Sequence, residues 1–404
     1  MKNILYITSQ YPTLTETFIA REMQELVNQG NNVTIAVIRH KKSSLGHAGI
    51  IVDSAQVIRH PLSFSNILLN TAYAFFTAPT AYVRCMAELI QDCICRPKYS
   101  LASIYMFLSV CWLYKNTRYK GFDWIRAHFL HTEAIVAHWL SIFLDIPYAI
   151  TAHVVNLYHS TELLRQVVAN ASFTIGISNQ SVKLLYELGA EHPLLIRNGV
   201  DLEQFHYRIS EEGLNEPPLI LAIGSLLPMK GFDVLLRALS TLQKEGPPFE
   251  CSIIGEGHER NNLELLIQNL SLSHVYLAGP LPFSKVTYYL ARATILVMPS
   301  QSSKQGIDGI PTVLIEAMAS GVPVVSTCFA GIPDLVINEY SGLLAEPGDE
   351  NDLARKIKWL LEDSRLRDRL RENAIRMIRS DYDMKKNGVT ISMFMDSYPS
   401  KEKT

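Results

Sequence analysis

The sequence predicts an α/β protein with parallel sheets. Two observations carry that prediction. Short β-branched runs alternate with segments of helical period, and the order strand, loop, helix, strand opens twice, near residue 4 and again near residue 219. The repetition points to two Rossmann-like domains. The stretch 210–218, Ser-Glu-Glu-Gly-Leu-Asn-Glu-Pro-Pro, is polar and Pro-rich and suits a hinge between them. Ligands of open parallel sheets bind beyond the carboxyl ends of the strands, so two facing domains of this kind would share a cleft.

The first domain opens with a strand at Ile4–Thr8 and a polar turn over Gln10–Thr15. An amphipathic helix follows, with Phe18, Ile19, Met23 and Leu26 at helical spacing. Thr13 and Glu16 stand three apart, the spacing of a capping box, and Gly30 stops the helix before a strand at Val33–Ile38. The second domain opens with a strand at Leu219–Ile223. Its loop runs from Gly224 to Gly231, and a helix at Phe232–Glu245 and a strand at Glu250–Ile254 complete the unit. Farther on, a strand at Ala293–Pro299 feeds a polar loop and then a helix with Pro311 as its first residue and Gly321 at its end.

Two segments break this alternation. Ser63–Ile90 and Ser100–Tyr114 are rich in Leu, Ala, Phe and Tyr and are flanked by Arg84, Arg96, Lys98, Lys115, Arg118 and Lys120. The second is short of the ~20 residues that span a bilayer, and Pro79 interrupts the first. They read either as helices of the domain core or as an interfacial surface with aromatic and basic anchors on an anionic membrane.

Composition narrows the function. Hydrophobic residues make up 48% and charged residues 19%, which excludes a disordered chain. The net charge of −2 excludes a dedicated nucleic-acid binder. Six cysteines are too few for a disulfide scaffold, and Cys93-Ile-Cys95 lacks the spacing of a zinc or redox motif, so a reducing compartment is the default. The amino-terminal residues read as a strand and not as a signal peptide, which places the protein in the cytoplasm.

The densest chemical signal is the run from Pro299 through Asp308-Gly-Ile-Pro311 and Glu316 to Gly321. Backbone amides at 309–312 would point from the positive end of a helix, a ready site for an anion. Glu316 lies on an otherwise apolar helix, where a carboxylate is either a solvated face residue or a ligand. This stretch resembles the signature of family 4 retaining glycosyltransferases of the GT-B fold, in which two acids stand eight apart around Glu-Gly-x-Pro. His128-Phe and Thr151-Ala-His153 resemble the family's first-domain histidine motifs, and Asn198-Gly-Val-Asp201 the stretch that ends that domain. Gly224-x-Leu-x-Pro-x-Lys230-Gly, Ile254-Gly-Glu-Gly257 and Gly331-Ile-Pro-Asp resemble its second-domain loops. Tyr11-Pro-Thr-Leu-Thr-Glu-Thr-Phe18-Ile is similar to the opening of the exopolysaccharide branch, of colanic-acid or amylovoran type.

The resemblance implies a GT-B architecture of two facing domains with a cleft between them. Residues 1–205 would form the acceptor domain, 206–380 the nucleotide-sugar domain, and 381–404 a terminal helix returning toward the first. It implies that Glu316 holds the donor's ribose hydroxyls and that Asp308 sits near the transferred sugar and diphosphate. Lys230 would neutralise the diphosphate, and His153 would line the sugar pocket. Gly309, Ile310, Pro311, Ser225, Gly257, Arg260 and Leu281 complete the donor side, with Thr15, Glu16 and His128 on the acceptor side. Two positions depart from the pattern. Asp308 stands where the family usually has Glu, and Ser225 stands where it often has Arg, leaving Arg260 or Lys304 as substitutes.

The expected activity is a metal-independent, cofactor-free retaining transfer of a hexose from a UDP- or GDP-linked donor to a lipid-linked glycan. The expected location is the inner face of the cell membrane, held peripherally. A sugar-nucleotide epimerase of the same fold and a non-catalytic membrane-associated scaffold are the alternatives. Gly255-x-Gly257-x-x-Arg260 lacks the third glycine of a dinucleotide fingerprint, and Asp381-Tyr-Asp383 reads as a helix cap, not as a metal pair.

Overall fold

The structure, a computed structural model, describes residues 1–12, 17–38, 51–59, 65–153, 161–205, 217–303 and 310–398. The chain divides into two compact units, 1–197 with 384–404, and 198–383. The divisions fall a few residues from those expected at 205 and 380, and Asn198 opens the second unit instead of closing the first.

The first unit runs β1 (Asn3–Thr8), α1 (Thr17–Asn28), β2 (Asn32–Val37), β3 (Gln56–Arg59), α2 (Ser65–Thr77), α3 (Pro79–Cys95) and α4 (Ser100–Thr117). It continues with β4 (Trp124–His128), α5 (Thr132–Leu144), β5 (Tyr148–Ala152), α6 (Thr161–Ala169), β6 (Phe173–Gly176), α7 (Asn179–Glu187) and β7 (Leu194–Leu195). Among the described residues the strands form one parallel sheet in the order β3-β2-β1-β4-β5-β6-β7. The order reverses between β1 and β4, so the loops after these strands diverge to opposite faces and leave a crevice at their carboxyl ends.

Alternation along β1 splits the core in two. Ile4 and Tyr6 join Ile19, Met23 and Leu26 of α1 on one face, and Leu5 and Ile7 join α4 and α5 on the other. The two apolar segments become three helices, because Pro79 lacks an amide proton and starts α3 at its first turn. Met106, Phe107, Val110, Cys111, Leu113 and Tyr114 bury α4 against α5, so much of that segment is core. Among the described residues no helix is long and apolar enough to cross a membrane.

The second unit runs β8 (Leu219–Ile223), α8 (Phe232–Glu245), β9 (Glu250–Ile254), α9 (Arg260–Asn269), β10 (Val275–Gly279), α10 (Phe283–Arg292) and β11 (Ile295–Met298). It ends with α11 (Thr312–Ala319), β12 (Val324–Thr327), β13 (Leu343–Ala345), α12 (Glu350–Glu362) and α13 (Ser364–Asp381). Its parallel sheet has the order β10-β9-β8-β11-β12-β13, with the reversal between β8 and β11. Both units are therefore α/β Rossmann-like sheets. Helix α11 stops in a Schellman motif: Val322 N–H donates to Ala317 O, Gly321 N–H donates to Met318 O, and Gly321 takes φ +75°. Pro311 is the N-cap of α11 and not its first residue as expected.

The last helix, α14 (Met384–Ser397), belongs to the first unit and packs on α1. Lys2 Nζ pairs with Asp396 at 2.9 Å, and Ile391 and Met395 enter the core on the α1 face. Asp381 and Asp383 flank the buried Tyr382 in the turn between α13 and α14.

Candidate active site

In the second unit the described donor-side residues of the loops follow carboxyl ends of strands, on one rim of the sheet. Ser225 and Lys230 follow β8, Gly257 and Arg260 follow β9, Leu281 follows β10, and Ile310 and Pro311 precede α11 after β11. Glycines make the close packing of these loops possible. A β-carbon on Gly255 would stand 1.8 Å from the Gly224 carbonyl oxygen, one on Gly257 2.3 Å from that of Leu226, and one on Gly231 2.0 Å from that of Pro299. Backbone bonds tie the same loops: Leu226 N–H to Glu256 O at 2.9 Å and Gln301 N–H to Met229 O at 2.9 Å. The Gln301 amide adds a bond to Pro228 O at 3.1 Å.

Lys230 closes a one-turn 3-10 helix at Pro228–Lys230, and the left-handed Gly231 turns the chain into α8. Its aliphatic stem lies beside Gly224, with Cδ 3.7 Å from where a β-carbon would sit. Pro311, the N-cap of α11, makes no side-chain cap bond, so among the described residues no side chain caps the first amides of this helix. Glu316 lies on this helix and is buried. The Arg260 guanidinium is shared between Glu256 and Glu264, each at 3.0 Å, so its charge is already balanced within α9 and the preceding loop. Asp308, Gly309 and Lys304 lie outside the described residues, as do Thr13, Thr15 and Glu16 of the first unit.

The first unit carries a buried polar cluster at its own switch point. His128 ends β4 and His153 follows β5, and their Nδ1 and Nε2 atoms are 2.8 Å apart. His128 Nε2 lies 3.2 Å from Glu22 Oε1, which also accepts from Arg126 Nη2 at 2.7 Å and from the Tyr6 hydroxyl at 2.6 Å. Arg126 donates as well to Thr151 Oγ1 at 3.0 Å. Phe18 and Phe129 pack on the His153 ring at centroid distances of 4.5 and 4.8 Å. Phe129 holds φ +69°, a left-handed conformation that costs a bulky residue about 1–3 kcal/mol and is typical of functional sites. Ser9, just after β1, donates to Glu133 in the first turn of α5.

Burial would raise the Glu22 carboxyl, but the Arg126 guanidinium, with His128 beside it, holds it well below the usual carboxylate range. Burial, reinforced by His128, holds the His153 imidazole well below the ordinary histidine range, so it is neutral. Sequence reading missed Glu22 and Arg126. The available signal was Arg126 itself, a fixed cation in the middle of the strand Trp-Ile-Arg-Ala-His, which survives burial only beside an anion. A separate groove of about 550 Å³, lined by Asn3, Asn31, Asn32, Gln56 and Lys120, lies at the amino-terminal edge of the first sheet, opposite the switch point.

Comparison with known proteins gives this geometry a family. A model of glycosyl transferases group 1 matches residues 206–377. An uncharacterized glycosyltransferase of Methanocaldococcus jannaschii is 30% identical over 260 residues, 63% of this chain and 70% of that protein. The chain belongs to the group 1 glycosyl transferases. The amylovoran biosynthesis glycosyltransferase AmsK of Erwinia amylovora is 37% identical over 167 residues, 41% of each chain. The alignment thus spans less than half the length of AmsK. The crystal structure of Anabaena HepE in complex with UDP and glucose superposes over 98% of this chain and 100% of HepE, with TM-score 0.72 at 19% identity. The glycosyl transferase therefore shares the GT-B class of its structural neighbours, and its rim after β8, β9 and β11 lies within the residues the family model matches.

Proposed function

We propose that this glycosyl transferase moves a hexose, with retention, from a UDP- or GDP-linked donor to a lipid-linked oligosaccharide in exopolysaccharide biosynthesis. One observation carries the reading: Lys230 and the uncapped amino end of α11 follow the adjacent strands β8 and β11 at the switch point of the second sheet. Cleaving a sugar–diphosphate bond leaves negative charge on the phosphate and oxocarbenium character on the sugar. A fixed ammonium and preorganised amides aimed at that phosphate stabilise the transition state, each donor contributing about 3–4 kcal/mol. The reading calls on no metal for this charge.

In this reading Glu316 accepts from the ribose hydroxyls, Asp308 lies near the transferred sugar, and His153 hydrogen-bonds a sugar hydroxyl. The donor class is supported by the UDP and glucose named with HepE, and the biosynthetic setting by the name of AmsK. The relatives' names speak for transfer over epimerisation or a scaffold role.

The acceptor side rests on the outer face of α3 and the turn after it. Val83, Ile90 and Ile94 are exposed at helical spacing, Leu101 is 84% exposed, and the Arg96 guanidinium stacks 4.3 Å from the Tyr99 ring. Such a mixture of apolar, aromatic and basic groups suits the interface of an anionic membrane.

A screen of UDP- and GDP-sugars for thermal stabilisation, followed by incubation with the stabilising donor, tests the proposal. Slow release of free nucleotide is expected. An isomerised donor would mark an epimerase, and neither stabilisation nor turnover would mark a scaffold.

A further inference from the structure

Glu22 of α1, His128 of β4 and His153 after β5 form a line of hydrogen bonds whose protons can be ordered from one end. Glu22 is fixed as an acceptor, because Arg126 and Tyr6 both donate to the same carboxylate oxygen that faces His128. A carboxylate only accepts, so His128 carries a proton on Nε2. With a single ring proton, placed on Nε2 by Glu22, His128 has a bare Nδ1 that accepts from Nε2–H of His153, 2.8 Å away. The remaining nitrogen, His153 Nδ1, is left with a lone pair. That atom is buried and has no hydrogen-bond partner among the described residues. A buried acceptor of this kind is costly to leave unsatisfied, and the rings of Phe18 and Phe129 fix the plane in which it can accept.

We propose that Glu22, acting through His128, is a positioning residue that holds His153 with its proton on Nε2 and its Nδ1 lone pair directed at a hydroxyl of the sugar substrate. The inference rests on the reading that His153 lines the sugar site; it adds Glu22 to that site and gives His128, expected on the acceptor side, the role of linking the two. It also accounts for a buried Arg126: the guanidinium keeps Glu22 ionised, and ionised Glu22 keeps the proton order.

Histidine-selective ¹⁵N NMR on the full chain, paired with transfer kinetics, tests it. In the wild type His153 is expected as the Nε2–H tautomer. Glu22→Gln retains a carbonyl oxygen that can accept from His128 while leaving Arg126 without its anion, and is expected to keep that tautomer. Glu22→Leu removes the acceptor, and is expected to give mixed tautomers at His153 and a kcat/KM lowered about tenfold. Because Glu22→Leu strands Arg126 and endangers folding, His128→Leu serves as the second variant. It leaves the Glu22–Arg126–Tyr6 contacts intact and is expected to give the same two effects. A wild-type His153 protonated on Nδ1, or an unchanged tautomer in His128→Leu, would overturn the relay. A relay that responds as expected while His153→Ala transfers within twofold of wild type would instead overturn the hydroxyl contact, and with it the reading of His153 as a sugar ligand.

Discussion

Gly255 backs directly onto Gly224: a β-carbon on the first would overlap the carbonyl oxygen of the second at 1.8 Å, and Gly255 holds φ +149°. The loops after β8 and β9 thus meet main chain against main chain. Gly255→Ala must move one of them, at a cost of about 1–3 kcal/mol from the strained backbone. Chemical denaturation should show this loss, and the displaced loop should also reduce the thermal shift given by a donor nucleotide.

Lys230 stands on that same platform. Replacement by Ala removes one fixed positive group from the leaving phosphate, and transfer is expected to fall at least about 100-fold with the melting temperature unchanged. Activity within threefold of wild type would remove Lys230 from the mechanism.

Glu316 is buried on α11, one turn beyond the uncapped amides. Glu316→Gln preserves its shape and removes its charge. The expected result in calorimetry is a donor affinity about tenfold weaker, the loss of a charge-assisted hydrogen bond to a hydroxyl. Unchanged affinity would assign the side chain to the packing of the helix.

The histidine cluster makes the first unit sensitive to acid. Its ionisable members are Tyr6 on β1, Glu22 on α1, Arg126 and His128 on β4, and His153 after β5. At pH 7.5 His153 is neutral in both native and unfolded chains. Below its unfolded value of about 6.5 the unfolded chain takes up a proton that the native state refuses, so stability falls by up to about 1.4 kcal/mol per pH unit. Glu22 adds a second loss at lower pH. Its native pKa is depressed, so its contribution is complete above the unfolded value of about 4.3 and disappears as pH falls through the native one. Denaturation at pH 7.5, 6 and 5 should give a shallower slope for His153→Gln than for wild type.

The α3 face predicts salt-dependent association with lipid. Vesicles containing anionic lipid are expected to sediment the protein at low salt, and each charge removed from Arg96, Lys98 and Lys115 should lower partitioning about fivefold. Sedimentation that ignores both salt and these substitutions would assign the exposed apolar residues of α3 to another role.

The second unit's opening was legible to the residue: Leu219–Ile223, Phe232–Glu245 and Glu250–Ile254 are observed as read, because Gly224 and Gly231 punctuate a β-branched run and a clear helical period. Helix α4 was legible in its start at Ser100 but not in its end, which lies at Thr117 beyond the apolar run to Tyr114, because a helix with apolar residues on most sides carries no periodic signal. The pair Glu22–Arg126 escaped for a different reason. Glu22 lies on the amphipathic helix α1, where an acid looks like a solvated face, and its partner is 104 positions away in sequence. Only the sheet order, with β4 beside β1, brings them together.

Helix α14 gives the protein an unusual order of assembly. Strands β1 to β7 leave the ribosome first, yet Ile391 and Met395, which complete their α1-side core, are translated after the whole second unit. Gly388, whose missing side chain lets α14 press on Glu25 and Gln29, arrives equally late. The α1 side of the first sheet therefore stays partly uncovered until α14 has been made, and damage to α14 is felt in strands translated long before it.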